Sequence, residues 1–166
     1  NMDISNNICN HWGPYGMYMD QTNGSRFAGN TIEDHGMEGL YVRNGSACTI
    51  SGNAVTRCRT GIQLRSTDDS TVENNTTSAN TEHGIHIYSC GADNVISGNT
   101  GDSNTEVGIY VESSGPTTVN DNSTNWNGTN GIVVYSSSAS VVSGNTSTYN
   151  DDYGINFVDS SYNNII

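Results

Sequence analysis

One asparagine recurs along almost the whole chain at intervals of 22–24 residues, and a glycine follows it eight or nine residues later each time. Seven matching units in 166 residues indicate a repeat architecture, in which each unit stacks on the next. The recurring asparagines are Asn7, Asn30, Asn53, Asn75, Asn99, Asn122 and Asn145. The fold must therefore give this position the same environment in every unit.

Each unit carries two short apolar segments. The first is centred three residues before the asparagine, and the second follows the glycine with apolar and polar residues in alternation. Alternation with a period of two is typical of β-strands, and the Gly, Asn and Ser residues between the segments are typical of turns. Because helical periodicity is not sustained anywhere, the pattern predicts short strands and tight turns throughout.

Strands that return every 22–24 residues predict an all-β fold, a right-handed parallel β-helix of about seven coils. Adjacent coils would lie ~4.8 Å apart, so equivalent side chains would form columns along the rod. The asparagines would form a ladder of side-chain hydrogen bonds, and the Gly, Asn or Asp before each one would adopt a left-handed turn conformation. We expect residues 1–166 to be a single domain, either a segment of a longer protein or a unit that stacks end to end.

The charge of the chain narrows the choice of partners. The formal net charge is −12, with 17 acidic residues, five arginines and no lysine, which does not suit nucleic acid. No segment approaches the roughly 20 apolar residues of a membrane helix, so membrane insertion is not expected. An acidic surface without lysine fits an extracellular or cell-surface location. All five arginines lie between Arg26 and Arg65, so positive charge is confined to the first half.

The repeat unit, written SGNT…GI.V..SS, resembles the parallel β-helix repeat of the pectate-lyase-like superfamily, including its carbohydrate-binding and sugar hydrolysis repeats. The resemblance covers essentially the whole chain and implies the fold. Members of the superfamily include polysaccharide lyases, glycoside hydrolases, uronate epimerases, phage tailspikes and surface proteins without catalysis, and the repeat does not select among them.

Two columns of side chains should point outwards, because the residues two and four after each glycine alternate with core positions. In the first five coils these columns contain aromatic rings, arginines, a histidine and carboxylates, which suit sugar rings and their carboxylates. The candidate carbohydrate-binding residues are Tyr18, Tyr41, Arg43, Arg65, His86, Tyr88, Tyr110 and Glu112. They predict an elongated face for an acidic polysaccharide, whereas the alternative is an ordinary solvent-facing strand surface.

Catalysis is not evident from the sequence. The segment YGMYMD, Tyr15 to Asp20, resembles the Tyr-Gly-Phe-Asp-Pro-His element of mannuronan epimerases, but only Tyr15 and Gly16 match. Tyr18 stands in place of the aspartate and Asp20 in place of the histidine, so the activity does not carry over. Whether the protein is an enzyme therefore stays open, with a binding role favoured over catalysis.

Candidate metal sites are few. Asp68, Asp69 and Asp93 stack near one another and form a candidate Ca²⁺ site, although the repeat lacks the calcium-binding nonapeptide pattern. No other cofactor is expected. A column five residues after the ladder places His35 one coil from Cys58, as a nucleophile and base or as two metal ligands. The alternative is a turn column that is Asn in the later coils.

Three functions remain. The first is an extracellular module that binds an acidic polysaccharide. The second is a structural or self-assembling surface protein, whose partners would be further copies of the chain stacked end to end. The third is a polysaccharide lyase or uronate epimerase.

Overall fold

The computed structural model describes residues 1–160 and 164–165, and the regular structure of these residues is β-strand throughout. The strands are short, mostly three or four residues, because each spans only one side of a narrow coil. In chain order they are β1 Asp3–Ser5, β2 Ile8–Asn10, β3 Met17–Asp20, β4 Arg26–Ala28, β5 Thr31–Glu33, β6 Glu38–Arg43, β7 Thr49–Ser51, β8 Ala54–Thr56, β9 Thr60–Arg65, β10 Thr71–Glu73, β11 Thr76–Ser78, β12 Ile85–Tyr88, β13 Asn94–Ser97, β14 Ile109–Glu112, β15 Thr117–Asn120, β16 Ile132–Tyr135, β17 Val141–Ser143, β18 Ile155–Val158 and β19 Asn164–Ile165.

These strands form three parallel sheets that run the length of the rod, as the repeat predicts. The first sheet has eight strands in the order β1-β4-β7-β10-β13-β15-β17-β19. The second has four, β2-β5-β8-β11, and single bridges continue its line through the later coils. The third has seven, β3-β6-β9-β12-β14-β16-β18. Each chain turn visits the three sheets once, so the architecture is the predicted parallel β-helix of about seven coils.

The core is a narrow stack of the two apolar segments. Side chains of the first sheet, such as Phe27, Ile50 and Ile96, face those of the third sheet, such as Leu64 and Ile109, and all are fully buried. Their strands pair in the predicted register, with Phe27 opposite Ile50 on the next coil. Burial of a side chain of this size contributes about 1.5–3 kcal/mol, and this contribution recurs in almost every coil.

The predicted asparagine ladder is present, and its hydrogen bonds satisfy the buried turn. In the middle of the rod, Asn75 donates from Nδ2 to Asn99 Oδ1 at 2.9 Å and also to the carbonyl of Ile50 at 2.9 Å. The same Asn99 oxygen accepts the backbone N–H of Asn75 at 2.9 Å. Equivalent bonds connect Asn7, Asn30, Asn53, Asn75, Asn99, Asn122 and Asn145. The residue before each asparagine has the expected positive φ, between 54° and 63°.

The column that contains His35 and Cys58 becomes a second asparagine ladder in the later coils. Asn80 donates to Asn104 at 3.0 Å, and equivalent bonds connect Asn104, Asn127 and Asn150. In the early coils His35 donates from Nε2 to the carbonyl oxygen of Cys9 at 3.3 Å. The Cys58 thiol donates to the Thr56 carbonyl. The turn-column interpretation therefore describes these residues better than a Cys–His centre.

A hydroxyl ladder, which the sequence analysis missed, follows the third sheet. The backbone N–H of Cys90 donates to Ser114 Oγ at 3.2 Å, that of Ser114 to Ser137 Oγ at 2.9 Å, and that of Ser137 to Ser160 Oγ at 3.2 Å. The repeated Ser-Ser after each late strand was the available signal. The cysteines Cys9, Cys48, Cys58 and Cys90 carry free thiols, and burial raises the pKa of Cys90 to about 11.

Candidate functional site

The two outward columns lie in the predicted register on the third sheet. Tyr41 is opposite Gln63, which is opposite His86, and the next residue in this column is Tyr110. The second column runs in parallel, one pleat away. Together with the turns that precede the strands, the columns bound a groove of about 390 Å³. Its lining residues are Tyr15, Met37, Glu38, Tyr41, Arg59, Gln63, Arg65, His86, Tyr88 and Glu112.

Three tyrosines form the end of the groove in the first two coils. The ring of Tyr15 packs against Tyr18 and Tyr41, with centroids 5.2 and 5.8 Å apart, and Tyr18 packs against Tyr41 at 5.4 Å. Tyr41 was expected to be an outward, accessible ring, but only 6% of its surface is exposed because the other two rings cover it. The accessible aromatic surface at this end is therefore that of Tyr18, which is exposed, and of Tyr15, which is half-buried.

An ion pair is built into the wall of the groove beside these rings. Glu38, at the start of β6, is only 2% exposed and pairs with Arg59 from the next coil. Arg59 also lies 3.8 Å from Glu82 on the following coil. A buried carboxylate is costly unless a cation compensates it, so Arg59 is what permits Glu38 at this position.

A hydrogen-bonded chain crosses the groove floor. Gln63 donates from Nε2 to His86 Nδ1 at 3.2 Å, and His86 donates from Nε2 to Glu112 Oε2 at 3.0 Å. These partners assign the proton of the neutral imidazole to Nε2. The ring of His86 also stacks on Tyr110, with centroids 5.0 Å apart and planes 5° apart, so its orientation is fixed on all sides.

Burial keeps the histidines of this region neutral. Desolvation, with a smaller contribution from the charge of Arg59, lowers the pKa of His86 to about 4. Desolvation, with contributions from His86 and Arg59, lowers the pKa of His83 to about 3. Burial, followed by the charge of Glu112, raises the pKa of Tyr110 to about 12. At neutral pH the His86 imidazole in the groove is therefore uncharged.

Arg65 differs from the other arginines in its charge environment. Arg26, Arg43, Arg57 and Arg59 each lie within 4 Å of a carboxylate. Within the described residues Arg65 has no such partner, and its guanidinium instead lies over the ring of Tyr88, 5.1 Å from the centroid. Arg65 is exposed and lines the groove. It is thus a cation that is held in place without being neutralised.

The structure brings together most of the residues predicted for the carbohydrate-binding face. Tyr41, Arg65, His86, Tyr88 and Glu112 line the groove. A further three border it: Tyr18 packs on Tyr41, Tyr110 packs beneath His86, and Arg43 pairs with Asp20 at 3.3 Å.

Five lining residues were not among the candidates, namely Tyr15, Met37, Glu38, Arg59 and Gln63. The first four precede the third-sheet glycine of their coil, in the turn or at the strand start, whereas Gln63 lies in the first outward column, opposite Tyr41. The signal that could have found them is a charged pair, Glu38 and Arg59, at neighbouring positions of consecutive units.

The candidate calcium residues do not assemble into a site. Among the residues that the structure describes, no group of three or more His, Cys, Asp or Glu side chains is arranged to hold a metal ion. Asp68 accepts the backbone N–H of Gly91 at 2.7 Å, and Asp69 and Asp93 both occupy turn positions with positive φ. These aspartates therefore serve turn geometry, which explains why they recur without a calcium motif.

Comparison with known proteins identifies the family. The pattern described as "Right handed beta helix region" matches residues 1–124, three quarters of the chain. The chain belongs to the right-handed β-helix family. A second pattern, "Periplasmic copper-binding protein (NosD)", matches residues 100–166. No curated protein has a significant match in sequence.

Several solved structures share the fold. A double mutant of the periplasmic alginate epimerase AlgG superposes with a TM-score of 0.79 at 18% identity, covering 98% of this chain and 46% of the epimerase. The A-module of a mannuronan C-5 epimerase from Azotobacter vinelandii gives 0.71 at 12% identity, covering 99% and 55%. The enzymatically active domain of tailspike protein 2 of bacteriophage CBA120 gives 0.57 at 14%, covering 98% and 38%.

The chain thus spans about half the length of the epimerases it matches. At these identities the likeness establishes the fold, and the activity of the β-helix has to be argued from its own side chains. The described residues form no helix with the length and apolarity of a membrane span.

Proposed function

We propose that this β-helix binds an acidic polysaccharide in the groove of the third sheet, with Arg65 holding a sugar carboxylate. The observation that carries the proposal is that Arg65 is an exposed guanidinium in the groove without a carboxylate partner among the described residues. In a chain with a net charge of −12, an uncompensated cation in a concave site is the position at which an anionic group gains the most binding free energy.

The rest of the groove suits the uncharged parts of such a polymer. Tyr18 and Tyr88 offer rings against which the C–H faces of sugars can pack. Gln63 and Glu112 offer an amide and a carboxylate for hydroxyl groups. The combination of one cation, aromatic rings and hydroxyl partners favours a uronate-containing glycan over a purely anionic ligand such as phosphate.

The comparisons support a polysaccharide ligand. Two of the structures that share the fold are an alginate epimerase and a mannuronan C-5 epimerase, whose names give polymers of uronic acids as substrates, and the first is periplasmic. A periplasmic protein also gives its name to the pattern that matches the last coils. These likenesses support a location outside the cytoplasm, in the periplasm or at the cell surface, which we propose for this chain.

The test is binding by calorimetry to hexasaccharides of mannuronate, guluronate and galacturonate. We expect Arg65→Gln to weaken binding of the preferred hexasaccharide by about 10- to 100-fold, because a charge-assisted hydrogen bond to a carboxylate is lost. Arg26→Gln is the matched control, since Arg26 pairs with Asp3 outside the groove. Binding that is equal in wild type and Arg65→Gln, or absent with all three sugars, would contradict the proposal.

A second candidate is C5 epimerisation or β-elimination of a bound uronate. The observation that favours it is His86, which lines the same groove as the cations Arg59 and Arg65, since such reactions need a base and a cation beside the carboxylate. For His86 to act as the base, Gln63 has to release the Nδ1 lone pair to which it now donates. Incubation with mannuronan should then give guluronate by NMR or an unsaturated product by ultraviolet absorbance. If wild type binds the polymer but yields neither guluronate nor an unsaturated product, the protein is a binding module.

A further inference from the structure

The last coils carry a pair of aromatic rings far from the residues of the groove. Trp126 and Tyr149 occupy the same turn position in consecutive coils, between the second and third sheets. Their rings are stacked, with centroids 4.2 Å apart and planes 11° apart. Both are highly exposed, Trp126 by 62% and Tyr149 by 70%. We call this pair the turn platform.

This position disfavours aromatic residues. Trp126 and Tyr149 have φ values of 60° and 58°, in the left-handed region that Gly, Asn and Asp tolerate best. The equivalent residues of the two preceding coils, Ala79 and Ser103, are small and have the same conformation. Large rings at this position therefore cost backbone energy and gain little burial, which points to a role on the surface rather than in folding.

Because Trp126 is 62% exposed although Tyr149 stacks on one of its faces, we take the other face of the indole to be accessible. Tyr149 covers the face of Trp126 that looks towards the end of the chain. The opposite face looks towards Ser103, whose side chain is too short to cover an indole, and beyond it lies Ala79. The column thus forms a step, with a flat aromatic surface above two small residues. A pyranose ring has the size and the C–H face to fit such a surface.

The turns beneath the platform are rigid. Asn125 donates its backbone N–H to Asp102 at 2.7 Å, and the backbone N–H of Thr148 donates to Asn125 Oδ1 at 2.9 Å. Thr148 Oγ donates to the same oxygen at 2.7 Å. These bonds tie three consecutive coils together directly beside the rings, so little conformational freedom remains to be lost when a ligand binds.

The charge around the platform indicates which sugar it can take. The chain has no arginine or lysine after Arg65. Asp151 and Asp152 lie on the turn of Tyr149, and Asp102 lies on the equivalent turn of the coil before Trp126. A carboxylate or sulfate placed here would face like charges without a compensating cation. A sugar without an acidic group meets no such repulsion, and its hydroxyls can donate to the aspartates.

We infer that the turn platform is a second binding site, for an uncharged sugar unit that stacks on the open face of Trp126. The site is separate from the groove of the third sheet, where Arg65 selects an acidic unit. One β-helix would therefore offer two contacts of different chemistry to a polymer that contains both kinds of sugar, or to two polymers.

The two tryptophans of the chain allow a direct test. In a Trp12→Phe background Trp126 is the only tryptophan, so its fluorescence reports on the platform alone. Titration with uncharged hexasaccharides of glucose, mannose and xylose should give a saturable change in emission with at least one of them. Mannuronate hexasaccharide should bind at the platform at least about tenfold more weakly. Equal response to mannuronate would overturn the assignment of an uncharged ligand, and no saturable response to any hexasaccharide would overturn the site.

Variants in the wild-type background separate binding from stability. By calorimetry Trp126→Ala should lose at least about tenfold in affinity for the responding sugar, whereas Trp126→Phe should keep most of it. Trp12→Ala is the matched control, because Trp12 is an exposed tryptophan on a turn of the first coil, and Arg65→Gln should leave this binding unchanged. If Trp126→Ala lowers only the urea midpoint and leaves affinity unchanged, the platform is a structural stack and the inference is wrong.

Discussion

The first four coils and the last three hold their neighbours in different ways. In residues 1–90 the surface between coils is tied by ion pairs, such as Arg57 with Asp34 and Arg59 with Glu38, and all arginines and histidines of the chain lie there. In residues 94–160 neighbouring coils are connected instead by uncharged side chains, in the second asparagine ladder and the serine ladder. The first ladder and the apolar core are common to both halves.

The difference shows where a β-helix can vary. A ladder residue must match its neighbours on both sides, because each oxygen accepts from the coil before it. Where the second ladder gives way to His35 and Cys58, the adjacent turns are free to carry Glu38, Arg59 and the rest of the groove wall. The half with fewer ladders is therefore the half with the concave, charged site.

Among single substitutions, we expect the largest loss of stability from removing an asparagine of the second ladder, at a position where the first half has Cys58 instead. Asn104→Ala leaves two Asn80 donors without their acceptor and the Thr77 carbonyl without its donor, all in a buried turn. Unsatisfied buried groups cost about 1–3 kcal/mol each, so we expect the free energy of unfolding to fall by about 3 kcal/mol. Urea denaturation measures it. Cys58→Ala, at the equivalent place in the first half, should cost less, and equal losses would mean that the two halves are not held differently.

Acid should weaken the first half selectively, because the neutral histidines are all there. His86 and His83 have pKa values of about 4 and about 3 in the folded chain, below the value of about 6.5 expected when unfolded. The unfolded chain then binds more protons, so stability falls as pH drops from about 6.5 to about 4, by up to about 1.4 kcal/mol per pH unit for each histidine. Urea midpoints between pH 7 and pH 5 test this.

His86→Gln supplies the control for that titration. Glutamine can still donate to Glu112, and it does not titrate, so the variant should show a shallower decline in stability over the same pH range. An unchanged slope would show that His86 does not contribute to the decline.

The smallest expected effect concerns the ion pairs of the first half. Glu38→Gln leaves Arg59 without its buried partner, and because Arg59 is itself partly exposed we expect a loss of about 2 kcal/mol. Glu33→Gln is the matched control, since Glu33 pairs with Arg57 on an exposed surface and should cost below about 1 kcal/mol. Thermal or urea unfolding measures both variants, and similar costs for the two would show that burial of Glu38 adds nothing.

The fold could be predicted from the sequence because its determinants repeat. The positions of Asn99 and Ile109 are set by stacking, and seven copies of the pattern make the period and the strand alternation visible. The left-handed residue before each asparagine was predictable for the same reason. A residue type that every coil requires recurs in every unit of the sequence.

The groove could be predicted only in part because its determinants occur once. Alternation placed His86 and Arg65 on the outward face, and the structure agrees. It did not reveal that Tyr15 would cover Tyr41, or that a glutamate next to a core glycine would be buried against Arg59. Both depend on side chains reaching across coils, for which a single sequence has no periodic signal.

The connection of each coil only to its nearest neighbours has a mechanical consequence. The ladder bonds join residues 22–24 apart, so force applied to one end is borne by the outermost coil before any other. Releasing that coil shortens the rod by ~4.8 Å and frees about 75 Å of extended chain. When pulled along its length, the molecule should therefore unfold one coil at a time from its ends. In each step the extended chain that is released is many times longer than the coil spacing that is lost.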